Sequence, residues 1–209
     1  MTYHAHAFID GGHLEALAKA AGRPMPHPTR LATKLLQNLC DDIAGEKVAL
    51  MRTTYYDACP EDEQDASRDR RLYWDEVEQI RDTDLGFGYL RGRKAGEPRQ
   101  KAVDTLMATH MLVGAFTGLF KVAVIVTADA DFIPVLEELR RRGVLVVLGA
   151  GGSANPILKN ACDRGFGIDS PERMDELWRP LTGMVDADEV AWYVGDNGLL
   201  QMGAHPRRG

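Results

Sequence analysis

The stretch Val122-Ala123-Val124-Ile125-Val126-Thr127-Ala128-Asp129-Ala130-Asp131-Phe132-Ile133-Pro134 decides how the chain is read. Its first six residues are apolar or β-branched without a polar break, the pattern of a central parallel strand covered on both faces. The run stops on two carboxylates, Asp129 and Asp131, and an amphipathic helix follows at once. In open α/β sheets ligands sit at the carboxyl ends of the strands, so acids at that edge point to a hard-cation site. The plainer reading, Asp131 capping the helix by accepting backbone N–H groups, accounts for one Asp and leaves the other unexplained.

Working outward, other strands end on the same chemistry. Tyr3–Ile9 runs into Asp10-Gly11-Gly12-His13, where glycines permit a tight turn into the helix Leu14–Ala21. A second helix is predicted from Thr29, as N-cap, to Gly45, with Leu31, Leu35, Leu36, Leu39 and Ile43 as its apolar stripe. Lys47–Tyr56 reads as a strand reaching Asp57, which a turn cap explains as well as a site does. Val144–Leu148 is a further buried strand, leading into Gly149-Ala150-Gly151-Gly152-Ser153. That loop could cradle a phosphate, yet it lacks GxxxxGK[ST] and GxGxxG. Strand and helix signals alternate throughout, which predicts an α/β fold: a mostly parallel central sheet with helices on both faces.

Charge is distributed unevenly. Residues 60–84 carry ten acids against four arginines, as expected of a solvated helix held by a narrow apolar stripe. After a short strand, Leu85–Leu90, the balance reverses at Arg91, Arg93, Lys94, Arg99 and Lys101. A basic loop containing Gly92 and Gly96 suits a phosphate backbone. The helix predicted over Lys101–Phe116 follows, with Asp104 in its first turn. The helix dipole alone would justify an acid there. Behind the basic loop, however, that turn aims Asp104 back at the strand edge.

The remaining features set bounds. At 209 residues the chain fits one domain with a modest appendage, and residues 1–178 are read as that domain. Residues 179–209 form the appendage, a C-terminal hairpin or arm signalled by Gly195-Asp196-Asn197-Gly198, with a disordered tail from Gly203. No apolar run approaches the ~20 residues that span a bilayer, and MTYHAHAFID lacks the order of a secretory signal. Cys40, Cys59 and Cys162 read as reduced thiols in a cytoplasmic protein, with no CxxC pair for zinc. His4 and His6 share a strand face without a third metal partner nearby. A net charge of −6 does not exclude a nuclease, because a metal-dependent one concentrates carboxylates.

Hard cations such as Mg²⁺ and Mn²⁺ take oxygen ligands and retain water, so a few carboxylates suffice when phosphate completes the shell. Asp10, Asp104, Asp129 and Asp131 are therefore the candidate metal-holding and catalytic residues. Three motifs in this order, Phe8-Ile9-Asp10-Gly11-Gly12-His13-Leu14, Arg99-Gln100-Lys101-Ala102-Val103-Asp104 and Thr127–Pro134, resemble the NYN domain, the LabA-like branch of the PIN-like nucleases. The likeness runs from about Tyr3 to Ile168.

The resemblance implies a PIN-like three-layer sandwich, Mg²⁺ or Mn²⁺ at the four acids, and endoribonuclease activity or RNA binding. Lys101 matches the family's basic residue beside the helical acid. With Arg91, Arg93, Lys94, Arg99, Thr127 and His13 it makes up the expected nucleic-acid contacts. His13 stands where the family usually has Asn, and His110 where many members have a second helical Asp. Imidazole suits Mg²⁺ poorly and Mn²⁺ better.

The leading expectation is a metal-dependent ribonuclease acting on single-stranded or structured RNA, with self-association through the C-terminal arm. The alternative is a catalytically weak RNA-binding or regulatory module. A phosphohydrolase of the haloacid dehalogenase kind wants a second Asp where this chain has Gly12.

Overall fold

A computed structural model describes residues 2–42, 47–60, 68–91, 99–152, 154–177, 190–194 and 200–204. In chain order the elements are β1 (Thr2–Asp10), α1 (Gly11–Ala21), β2 (Pro24–Met25), α2 (Pro28–Asp42), β3 (Lys47–Pro60), α3 (Arg68–Glu78), β4 (Thr83–Arg91) and β5 (Arg99–Lys101). They continue with α4 (Val103–Thr117), β6 (Val122–Val126), a 3₁₀ turn (Ala130–Phe132), α5 (Ile133–Arg141), β7 (Leu145–Ala150), α6 (Pro156–Asn160), β8 (Arg164–Gly167) and α7 (Pro171–Leu177). Strands β9 (Val190–Val194) and β10 (Leu200–Ala204) close the chain.

The main sheet has the order β5-β4-β3-β1-β6-β7-β8, parallel throughout except for β5, which runs antiparallel to β4. Period-two alternation divides β1 between two cores. Ala5, Ala7 and Ile9 face Leu14, Leu31 and Leu35 on one side, while Phe8 faces Met107, Phe120 and Leu136 on the other. This is the three-layer α/β arrangement the alternation of elements predicts.

Connections leave β1 toward β3 and β4 in one direction, and β6 toward β7 and β8 in the other. Right-handed crossovers therefore put the connecting helices on opposite faces, and the β1–β6 boundary is the topological switch point. Strands β9 and β10 pair antiparallel, Val194 against Leu200, and β9 also pairs with β2 of the same chain. The hairpin turn expected at Gly195-Asp196-Asn197-Gly198 lies outside the described residues.

Several element ends differ from the sequence reading. Helix α2 begins one residue before Thr29, whose hydroxyl instead meets that of Thr83 at 2.6 Å. His27 takes the capping position, its Nδ1 accepting from Arg30 N at 3.4 Å. The C-terminal end of α2, predicted at Gly45, lies outside the described residues. Strand β4 starts at Thr83 rather than Leu85, and β10 includes Gly203 and Ala204, which the sequence reading placed in the tail. Among the described residues no helix is long and apolar enough to cross a membrane, and Cys59 and Cys162 are buried thiols.

Strand β3 runs four residues past Tyr56, so Asp57 lies inside it rather than at its end. Alternation puts Asp57 with Tyr55 and Cys59, on the sheet face opposite Phe8 and Tyr56. There Arg70 Nε donates to it at 3.1 Å, Trp74 Nε1 at 2.8 Å and Ala58 N at 2.7 Å, with the carboxylate only 2% exposed. Arg70 also reaches Glu15 at 3.3 Å, tying α1, α3 and β3 together. These contacts, more than an apolar stripe alone, place α3.

Two stability measurements check this account. Asp57→Ala should cost about 3–5 kcal/mol in urea unfolding, because it leaves the Arg70 guanidinium without its buried partner. Burial, then the charge of Arg30, lowers the His27 pKa to about 4. His27 is thus neutral in the fold and protonates readily only when unfolded, so stability present above the ordinary imidazole range is lost as pH falls toward 4. His27→Asn should flatten that part of the pH–stability curve.

Candidate metal and nucleic-acid site

The site is built at the switch point. Ile9 pairs with Val126, so the chain leaves β1 and β6 side by side, at Asp10 and Thr127. Asp10 caps α1, its Oδ1 accepting from His13 N at 3.1 Å. Its Oδ2 accepts from Thr127 Oγ1 at 3.0 Å. The same hydroxyl oxygen accepts from Asp129 N at 3.2 Å, and Asp129 Oδ1 accepts from Asp131 N at 2.8 Å. One chain of hydrogen bonds thus links residues 117 positions apart in sequence and fixes the Asp10 carboxylate in orientation.

Gly11 allows this approach. A Cβ there would lie 2.5 Å from the Tyr55 hydroxyl and 2.7 Å from the Tyr56 carbonyl oxygen, both on β3. The cap of the turn after β6 is Asp129, where the sequence offered Asp131; Asp131 sits inside the turn and is exposed.

Asp104 is carried by the first turn of α4. Helix α4 opens at Ala102, which holds φ 75° and lends no side-chain cap, and Val103 packs onto Gly88 of β4. A Cβ at Gly88 would sit 2.5 Å from Val103 N, so this glycine sets how closely the first turn lies on the sheet. Burial raises the Asp104 pKa, and the negative charges of Asp10, Asp129 and Asp131 raise it further. The four acids predicted from sequence therefore share one electrostatic field.

Other predicted residues fall differently. Thr127, expected to touch nucleic acid, is fully buried, and its hydroxyl serves Asp10 and Asp129 instead. His13 is half-buried beside Asp10, and its Nε2 is buried without a hydrogen-bond partner. Burial lowers its pKa, opposed by the charges of Asp10 and Asp169.

His110 turns to the middle of the sheet, where its Nδ1 meets the Tyr56 hydroxyl at 3.0 Å. His6 stacks near Phe120, ring centroids 5.1 Å apart. The basic segment is partly strand: Arg99–Lys101 pair with Tyr89–Arg91, with Lys101 three residues before Asp104. Arg93 and Lys94 lie outside the described residues.

Asp169 is an acid that sequence reading missed. Its Oδ2 accepts from Gly152 N at 2.6 Å, and Lys159 Nζ donates to Gly152 O at 3.2 Å. The N–H that this Gly-rich loop might have offered a phosphate is thus already paired with a carboxylate. A signal was available, since Ile168-Asp169 repeats the strand-ending Ile9-Asp10.

Among the described residues, no three His, Cys, Asp or Glu side chains are arranged to hold a metal ion by themselves. The acidic donors gathered here offer carboxylate oxygens, and burial and the charges of the other three raise the pKa of Asp104. That set fits a hydrated hard cation, which needs one or two carboxylates and takes its other oxygens from water and phosphate.

Comparison with known proteins agrees with this architecture. No curated protein matches the chain. Among solved structures, it is similar to the crystal structure of a protein of unknown function from Vibrio parahaemolyticus RIMD 2210633. The TM-score is 0.59 at 13% sequence identity, over 80% of this chain and 94% of that one, a likeness of fold. The model of the NYN domain matches residues 8–169, from Phe8 of β1 to Asp169 after β8. Spanning the three acid-bearing motifs and all of the main sheet except the first part of β1, that match shows that the chain belongs to the NYN domain family, within the PIN-like nuclease group.

Proposed function

We propose that this chain is a metal-dependent endoribonuclease, of the LabA-like kind, that hydrolyses RNA phosphodiester bonds at the β1–β6 switch point. The observation that carries the proposal is the placement of Asp10 and Asp129 on one buried threonine, with Asp104 driven into the same negative field. Asp10, Asp104, Asp129 and Asp131 would hold Mg²⁺ or Mn²⁺, which when bound supplies Lewis-acid chemistry and an activated nucleophile.

The chain's own residues do the positioning. Thr127 and the α1 backbone hold both Asp10 oxygens in direction, so little reorganisation is needed on loading. Arg91, Arg93, Lys94, Arg99 and Lys101, together with His13, would supply phosphate contacts. The active unit is residues 1–178, and 179–209 is an appendage.

A second reading, an NYN-type RNA-binding or regulatory module without turnover, draws on one observation. Asp129 Oδ1 already accepts from Asp131 N, and no ready-made three-ligand group exists among the described residues.

Incubation of the purified chain with single-stranded and structured RNA, in Mg²⁺, Mn²⁺ or EDTA, separates the two. Cleavage that EDTA abolishes supports the nuclease; RNA binding with no cleavage in either ion supports the module. Asp10→Asn and Asp129→Asn should each lower cleavage by at least about 100-fold, the scale of losing a metal's share of transition-state stabilisation. Without divalent ions at neutral pH, Asp104→Asn should raise the thermal midpoint, since an ionised side chain there sits among like charges. Thr127→Val should cost about 10- to 100-fold in activity, and Thr127→Ser should recover most of it. Equal activity in both variants would remove the hydroxyl from the mechanism.

A further inference from the structure

A second surface lies away from the acids. Helix α4 crosses its face of the sheet obliquely. It begins with Val103 on Gly88 of β4 and ends with Gly114 pressed against Phe120, just before β6. The first halves of β3 and β4 are left bare on that face. They floor a groove of about 440 Å³ whose lining includes Phe8, Arg52, Thr54, Asp84, Val113 and Leu119.

Two properties of this groove stand out. Of the five large hydrophobic residues exposed among the described residues, three lie at this end of α4: Val113 at 54%, Phe116 at 57% and Leu119 at 56%. Phe116 is covered by the Arg142 guanidinium, 3.2 Å from its ring centroid, but Val113 and Leu119 stand on the groove wall. The second property is charge. Arg52 Nη1 and Asp84 Oδ1 are 3.2 Å apart at the groove, with side chains 47% and 52% exposed. A pair so exposed adds little to the stability of one chain.

We propose that this groove is an isologous contact with a second copy of the chain. A two-fold interface must be complementary to itself, which requires ridge and hollow, and both signs of charge, on one patch. Val113 and Leu119 supply a ridge beside the hollow. Arg52 and Asp84 supply both signs. Across a two-fold axis each Arg52 faces its counterpart's Asp84, so four charges alternate around the axis while the apolar rims leave water. A partner of one charge would be attracted by half of this pattern and repelled by the other half. None of Asp10, Asp104, Asp129 and Asp131 lines the groove. The proposal does not depend on the nuclease reading.

Sedimentation velocity over a micromolar concentration series tests it. The wild-type chain should show twice the monomer mass, whereas Arg52→Asp and Asp84→Arg should each be monomeric at concentrations where the wild type is paired. An equimolar mixture of the two variants should regain the doubled mass, because one copy is then acidic at both positions and the other basic. The double variant should regain it too. Val113→Glu, at an exposed position that folding does not depend on, should also give monomers. The proposal is overturned if the wild type stays monomeric across the series. It is equally overturned if a dimer persists through all three single substitutions, which would place the contact elsewhere, for instance on β9 and β10.

Discussion

Strands β1 and β6 lie side by side in parallel, and the consequences of that pairing run through the whole molecule. It makes the boundary from which connections diverge, so helices from the two halves of the chain cover opposite faces. It also sets residue 10 next to residue 127, distant in sequence and adjacent in space. A threonine at the end of β6 then links the carboxylate that ends β1 to the backbone of the turn that follows. The site is a property of the sheet's register: a shift of one residue would turn Asp10 into the opposite core.

That dependence explains what could be read from sequence. Val122–Val126 announces a fully buried central strand, and all five of its residues are buried. Asp10, Asp104 and Asp129 were legible because each follows an element end with recognisable turn chemistry. Thr127 was harder. Sequence shows a polar residue at the mouth of a site, and only the pairing of β1 with β6 shows that its hydroxyl is consumed inside.

Asp57, which sequence left open between a turn cap and a site, proves to be neither for a related reason. It looks like another strand-end acid, but β3 continues for three more residues, and alternation turns its side chain to the opposite core. Strand length is a tertiary property here, fixed by pairing with β4 as far as Pro60 against Leu90. In the same way a Gly-rich loop invites a phosphate reading until Asp169, seventeen residues later, is seen to accept from Gly152 N.

The contrast between Asp57 and Asp104 carries the functional argument furthest. Asp57 lies inside β3 and Asp104 in the first turn of α4, and their surroundings are opposite. Asp57 is surrounded by donors on Arg70, Trp74 and Ala58, and its charge is balanced within the chain. Asp104 meets burial and three further acids. A fold can stabilise itself by burying a paired charge, but gathering charges of one sign costs stability. Such an arrangement is expected where something outside the polypeptide completes it. A positive ion with its own waters meets that requirement with the fewest added assumptions, and a phosphate backbone is the ligand that such an ion is suited to bring into place.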